Sequence, residues 1–188
     1  SLGNGLDGAV RALAVHQGQL YAGGDFLSSG STVLNHIGRW DGLRWSALGS
    51  GMDAPVRALA VHEDEFVAGG EFTLAGDVTC LHIGRWAGAA WRDFGPGLSS
   101  YAWCLASYYG SLYAGGSFST AGDVLSTNVA RWDGTWWQAP GQPLWGGWEF
   151  TPSYVASMAT YNGRLYATGH FIAAGRTTRR AVLASPYA

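Results

Sequence analysis

The chain repeats itself every 46 residues, and no other feature limits its fold so strongly. Trp40 recurs as Trp86 and Trp132, each preceded by an arginine (Arg39, Arg85, Arg131). Gly23-Gly24 returns as Gly69-Gly70 and Gly115-Gly116, and Leu13 as Leu59 and Leu105, on the same step. A fourth copy is offset: Leu165-Tyr166-Ala167-Thr168-Gly169 matches Leu112-Tyr113-Ala114-Gly115-Gly116 at a step of 53, with seven additional residues around Trp145 to Ser153. Self-similarity at such a period marks an array of like supersecondary units. Four copies, at approximately 4–49, 50–95, 96–141 and 142–188, fill the 188 residues as a single domain.

Each copy reads as four short strands. In the first copy these are Val10 to Val15, Gln19 to Gly24, His36 to Trp40 and Arg44 to Leu48. His16-Gln17-Gly18 supplies one turn, Asp41-Gly42 is a hairpin-type dipeptide, and a polar loop runs from Leu27 to Leu34. No stretch of ten residues holds a 3.6-residue apolar period, so no helix is expected. The 29 glycines, mixed with Trp and Tyr, fit many strands joined by tight turns. The reading is all-β, a β-propeller of four four-stranded blades.

The motifs also resemble a family of short propeller repeats found in bacterial secreted and fungal cell-surface proteins. That resemblance rests on Leu112-Tyr113-Ala114-Gly115-Gly116-Ser117-Phe118, Ala121-Gly122 and Val129-Ala130-Arg131-Trp132-Asp133-Gly134, and on Trp45 with Leu48-Gly49-Ser50-Gly51. It covers essentially the whole chain and implies a binding or structural platform, extracellular or on the cell surface, with no cofactor. The fourth copy departs, with Ala184-Ser185 where Arg-Trp stands elsewhere.

How such a ring would close is left open. Ser1-Leu2-Gly3 aligns with the tail of a fourth strand, and Tyr187 with the end of a third. Four blades closing alone, half of a larger ring built from two chains, and a fragment of a longer propeller all satisfy that pattern. Each would protect strand edges that otherwise invite aggregation.

Composition narrows the function. Eleven basic residues, all arginine, against thirteen acids give a net charge of −2, without the basic stripe that nucleic acid or an acidic membrane surface requires. No apolar run is long enough to insert across a bilayer as a helix. The chain begins at Ser1 with neither Met nor an apolar leader, which reads as a mature or excised product. No Gly-x-Ser-x-Gly, His-Glu-x-x-His or Walker-type loop is present, so the expectation is not an enzyme. Repetition of acids between copies, as at Asp7 and Asp53, points to turn chemistry. A glycan-active carboxylate pair is the weaker alternative.

The candidate binding residues are aromatics that break the repeat. Trp40 with Trp45, Trp86 with Trp91 and Trp132 with Trp137 are repeat-equivalent and read as packing between blades. Arg39, Arg85 and Arg131 are expected to hold nearby carbonyls or the recurring Asp41 and Asp133. Trp103, in contrast, stands where earlier copies have Arg11 and Arg57, and Trp145 and Trp148 lie in the insertion. With Tyr101 they are expected on one rim, where aromatic faces beside polar groups suit a glycan or a protein partner. The same rim should carry Asp25, Glu71, Ser117 and His170, of which Asp25, Glu71 and His170 are weak metal candidates. Cys80 and Cys104 occupy different repeat positions, so no disulfide is expected between them. Assembly as a homodimer or with further blades is the competing structural reading.

Overall fold

A computed structural model describes residues 2–140, 144–145, 153–170, 172–173 and 180–184. The described residues are all-β: strands and turns, with no helix. Two compact units divide the chain, Ser1–Gly97 and Leu98–Ala188.

The first unit holds two four-stranded antiparallel meanders. One runs Val10–His16, Gln19–Gly24, Ile37–Trp40 and Trp45–Ala47, each strand paired with the next in sequence. The other runs Val56–His62, Glu65–Gly70, Ile83–Trp86 and Trp91–Arg92. The second unit holds a third meander, Ala102–Tyr108, Ser111–Gly116, Val129–Trp132 and Trp137–Gln138. A fourth sheet follows, with described strands Tyr154–Tyr161, Arg164–His170 and Arg180–Ala184.

Turn chemistry explains the tight first hairpin of every sheet. Its first loop residue has positive φ in all four copies (Gln17 48°, Glu63 49°, Tyr109 44°, Asn162 47°), and the second does too. Two consecutive left-handed residues make the turn whose twist matches the flanking strands. The long loop after the second strand departs from a plain loop. It contains a two-residue hairpin, Ser28–Ser29 with Thr32–Val33, repeated as Leu74–Ala75 with Val78–Thr79 and Thr120–Ala121 with Val124–Leu125. Phe26, Phe72 and Phe118, one residue beyond each Gly-Gly-x, are buried and anchor it. A Phe so placed stabilises by about 1.5–3 kcal/mol.

Within each unit the sheets pack through their inner strands. Gly23 has no room for a Cβ because Val56 Cγ1 of the next sheet occupies that space, and Gly115 meets Val155 in the same way. The first of the paired glycines is therefore a socket for the neighbouring sheet's valine. At the outer edge, Trp91 and Trp45 are buried, whereas Trp86 and Trp40 of the third strands are half-buried. In the first unit the packing role expected of these tryptophans therefore falls mainly on the fourth-strand indole, whereas in the third sheet Trp132 and Trp137 are both buried.

Candidate binding site

The inner strand of every sheet carries a β-bulge at one repeat position. The register slips between Val10 and Ala12, Val56 and Ala58, Ala102 and Cys104, and Val155 and Ser157. Arg11, Arg57, Trp103 and Ala156 are thus the additional residues, and bulges re-aim side chains next to functional sites. The second paired glycine makes this possible. A Cβ on Gly24, Gly70, Gly116 or Gly169 would lie 2.0–2.3 Å from the carbonyl oxygen of Ala9, Pro55, Tyr101 or Tyr154. The residue after that glycine then comes beside the bulge.

In the first unit this position is ionic. Arg11 donates through Nε and Nη2 to Asp25 Oδ2 (3.0 and 2.6 Å), and Arg57 through Nε and Nη2 to Glu71 Oε1 (2.8 and 2.5 Å). Arg57 also reaches back to Asp25 Oδ1 of the preceding sheet at 3.3 Å. The hydrogen bond from Arg11 holds the Asp25 carboxyl below the ordinary carboxylate range. Asp25 and Glu71, weak metal candidates by sequence, therefore face guanidinium groups, and a cation brought here would meet like charge. Among the described residues no group of three or more His, Cys, Asp or Glu side chains is arranged to hold a metal.

In the second unit the charge is gone. Trp103 Nε1 donates to Ser117 Oγ at 3.3 Å, and the Ser117 and Ser100 hydroxyls lie 3.4 Å apart. Tyr101 meets Trp103 edge to face, centroids 6.1 Å apart, and is 40% exposed. At the equivalent place in the fourth sheet Tyr154, 42% exposed, stacks on His170 at 6.2 Å. An arginine–carboxylate pair has thus been replaced, at both its members, by an indole–hydroxyl pair. Such a surface can stack on the C–H face of a ring and exchange hydrogen bonds with its substituents.

Of the four expected aromatics, Tyr101 and Trp103 come together. Trp145 belongs to the short strand Leu144–Trp145, which pairs with Ile172–Ala173. Leu144 keeps the 46-residue register, because Met52 pairs with Ala75 and Leu98 with Ala121 as Leu144 pairs with Ala173. The additional residues therefore follow Trp145, which occupies the position of Asp53 and Ser99. Trp148 lies outside the described residues. Ser100 escaped the sequence reading, although the joint change of Arg to Trp and acid to Ser within one copy was the available signal.

Other expected roles are redistributed. Asp7 accepts from the Leu27 and Ser28 amides and the Ser28 hydroxyl, and Asp53 from the Thr73 and Leu74 amides and the Thr73 hydroxyl, so these acids tie down the loop. Ser99 does the same for Ser119 and Thr120. The repeat arginines do not hydrogen-bond Asp41 or Asp133. Arg85 donates to Glu65 (3.2 Å) and Arg131 to Gln138 (2.7 Å), while Asp41 and Asp133 accept from amides of their own turns. A backbone amide two or three residues ahead is always within reach, whereas the arginine points across the sheet. Cys80 and Cys104 are free, buried thiols, pushed by burial up to about 11 and about 12.

No protein-family model matches the chain. No curated protein matches it. Among solved structures it is similar to the computationally designed Ika4 protein, with a TM-score of 0.54 and 16% identity over 96% of this chain and 94% of that one. The computationally designed Ika8 protein is aligned over 87% of this chain and 45% of its own, at 20% identity and a TM-score of 0.48. The likeness to Ika4 extends to the fold alone, an all-β chain of repeated antiparallel sheets.

Proposed function

We propose that the four sheets are the blades of a β-propeller, and that the chain is a non-catalytic recognition module of a secreted or cell-surface protein. Its binding rim is the end of the sheets that carries the bulges, with Tyr101, Trp103, Trp145 and Trp148 as the contact residues. One observation carries this reading. At a position where the first unit closes its chemistry with ion pairs, the second presents exposed Tyr101 beside an indole and two hydroxyls. An exposed aromatic group flanked by hydroxyls is suited to a glycan, and a protein partner uses the same features. The propeller reading draws on the repeat step, the valine–glycine contacts between inner strands and the resemblance to propeller repeats.

A glycan array probed with the labelled chain tests the reading. Binding that is lost in Trp103→Ala, with an unchanged far-UV spectrum, supports it; an array without signal, together with unchanged behaviour of Trp103→Ala toward every candidate protein partner, rejects it.

The second reading is a structural unit that joins further blades or another copy. The Arg11–Asp25–Arg57–Glu71 chain favours it, because those residues are spent on holding two sheets together. Mass in solution separates the two. A 19.9 kDa monomer with cooperative unfolding fits self-closed blades, and a dimer or larger oligomer fits the structural unit.

A further inference from the structure

At the opposite end of the first unit's sheets, beside the hairpin turns at Gln17 and Asp64, lies a cleft of about 410 Å³. Its wall includes Arg39, and among the described residues Arg39 has no side-chain hydrogen bond or ion pair, its Nε being buried as that of Arg85 also is. The neighbouring repeat shows what is missing. Arg85, one step of 46 later, donates to Glu65, and the residue at the Glu65 position in the first repeat is Gln19. Gln19 is neutral and lines the cleft. A half-buried guanidinium without a carboxylate partner leaves charge-assisted donors for an anionic group entering the cleft.

The charge around the cleft decides what that can be. Glu63 and Asp64 of the second sheet's hairpin turn, and Glu65 at the start of the strand after it, also line the cleft. Glu65 is compensated by Arg85, and Asp64 lies 3.8 Å from His16 Nδ1. A simple anion on Arg39 would meet the carboxylates of this turn, and a simple cation beside them would meet Arg39. A molecule carrying both charges satisfies both walls. Half-buried Trp86 adds an apolar surface to the same cleft. We propose that this cleft binds a small zwitterion, with its carboxylate on Arg39, its ammonium toward Glu63 and Asp64, and its apolar body against Trp86. The ligand class is a free α-amino acid or a short peptide. This site is separate from the bulge rim, and the inference does not depend on the glycan reading.

Saturation-transfer NMR on the full chain, with the L-amino acids and the glycyl dipeptides as two sets of probes, tests it and distinguishes the two sources. Binding is expected from members of one set. It should weaken by about tenfold or more when the probe is N-acetylated or amidated, the scale of one charged hydrogen bond. Gln19→Glu is the decisive variant. It gives Arg39 the partner that Arg85 already has, so binding should fall about as far while the unfolding midpoint holds or rises. Arg39→Gln should also lose binding. The proposal is overturned if neither set binds at about 10 mM, if blocked probes bind as well as free ones, or if Gln19→Glu folds and binds unchanged.

Discussion

The indole Nε1 of Trp91 donates to the carbonyl oxygen of Leu48, 2.9 Å away and 43 residues earlier, where one sheet ends and the next begins. Trp45 makes the same bond to Leu2 at 3.2 Å, again 43 residues back. Both tryptophans thereby tie their own sheet to the end of the preceding segment, as a second donor to a carbonyl that already accepts a turn amide, Gly51 N at Leu48 (3.2 Å) and Gly5 N at Leu2 (3.0 Å). The third-strand indole of Trp86 lies over Gly49 in the same turn, where a Cβ would sit at an ordinary contact distance of 3.7 Å and the φ of 65° is what favours glycine.

This arrangement ranks the tryptophans. Trp91→Phe keeps the packing and removes the donor, so it should cost about 1–2 kcal/mol in urea unfolding. Trp91→Ala should cost about 3–5 kcal/mol. Trp86→Ala, at a half-buried site, should cost less than Trp91→Ala, and the reverse order would refute the assignment.

The bulge makes a steric prediction. Gly24→Ala puts a methyl 2.0 Å from the Ala9 carbonyl, a contact only backbone movement can relieve. It should destabilise by about 2 kcal/mol or more and disturb the Arg11–Asp25 pair. Gly18→Asn, at φ 72° with open space around it, should cost less than about 1 kcal/mol. Chemical denaturation of both variants checks the contrast.

A pH effect follows from His82. Its φ is 64°, and His36 (70°) and Asn128 (65°) share that left-handed conformation at equivalent positions. His36 Nδ1 lies 3.2 Å from the Gly24 carbonyl, and the Asn128 amide, turned to satisfy both its ends, donates to the Gly116 carbonyl at 3.2 Å. Burial lowers the His82 pKa below its ordinary 6.5, and burial lowers that of His62 too. The unfolded chain then takes up protons first, so stability should be full above about pH 6.5 and fall as pH drops below it. His82→Asn, borrowing the third repeat's residue, should fold and flatten that slope. An unchanged slope would remove His82 from the account.

Acid carries a second signature. Asp7 is held below its ordinary 3.8, chiefly by the Ser28 amide, and Asp25 by Arg11. For depressed carboxyls the contribution is present above the unfolded value and lost as pH falls through the folded one. Asp7→Asn should therefore weaken the chain at neutral pH and make it less sensitive below about pH 4, as thermal melts across that range will show.

The thiols give a simple check. Cys80 and Cys104 are buried, with pKa values pushed to about 11 and about 12, so the reactive thiolate is scarce at neutral pH. Ellman's reagent at pH 8 should react with both only after denaturation. Fast reaction in the native chain would contradict the packing.

What the sequence determined by itself was whatever recurs locally. The step from Trp40 to Trp86 to Trp132, the turn residues at Gln17-Gly18 and Asp41-Gly42, and strand-length apolar runs are short-range signals, and repetition multiplies them. They were enough for all-β sheets, four strands to a copy in the first three, and for bringing Tyr101 beside Trp103. The tertiary structure alone decided who meets whom across larger separations. Arg57 reaches Asp25 of the preceding sheet, Trp91 finds Leu48, and among the described residues the Arg39 side chain has no carboxylate partner, because Gln19 replaces one on the paired strand. The two contacts that form span 32 and 43 residues. Their meeting depends on a bulge that offsets the register by one residue and on how one sheet seats against the next. Both arise from close packing around the glycines, where a single Cβ would not fit, and neither is written in the propensity of any short segment.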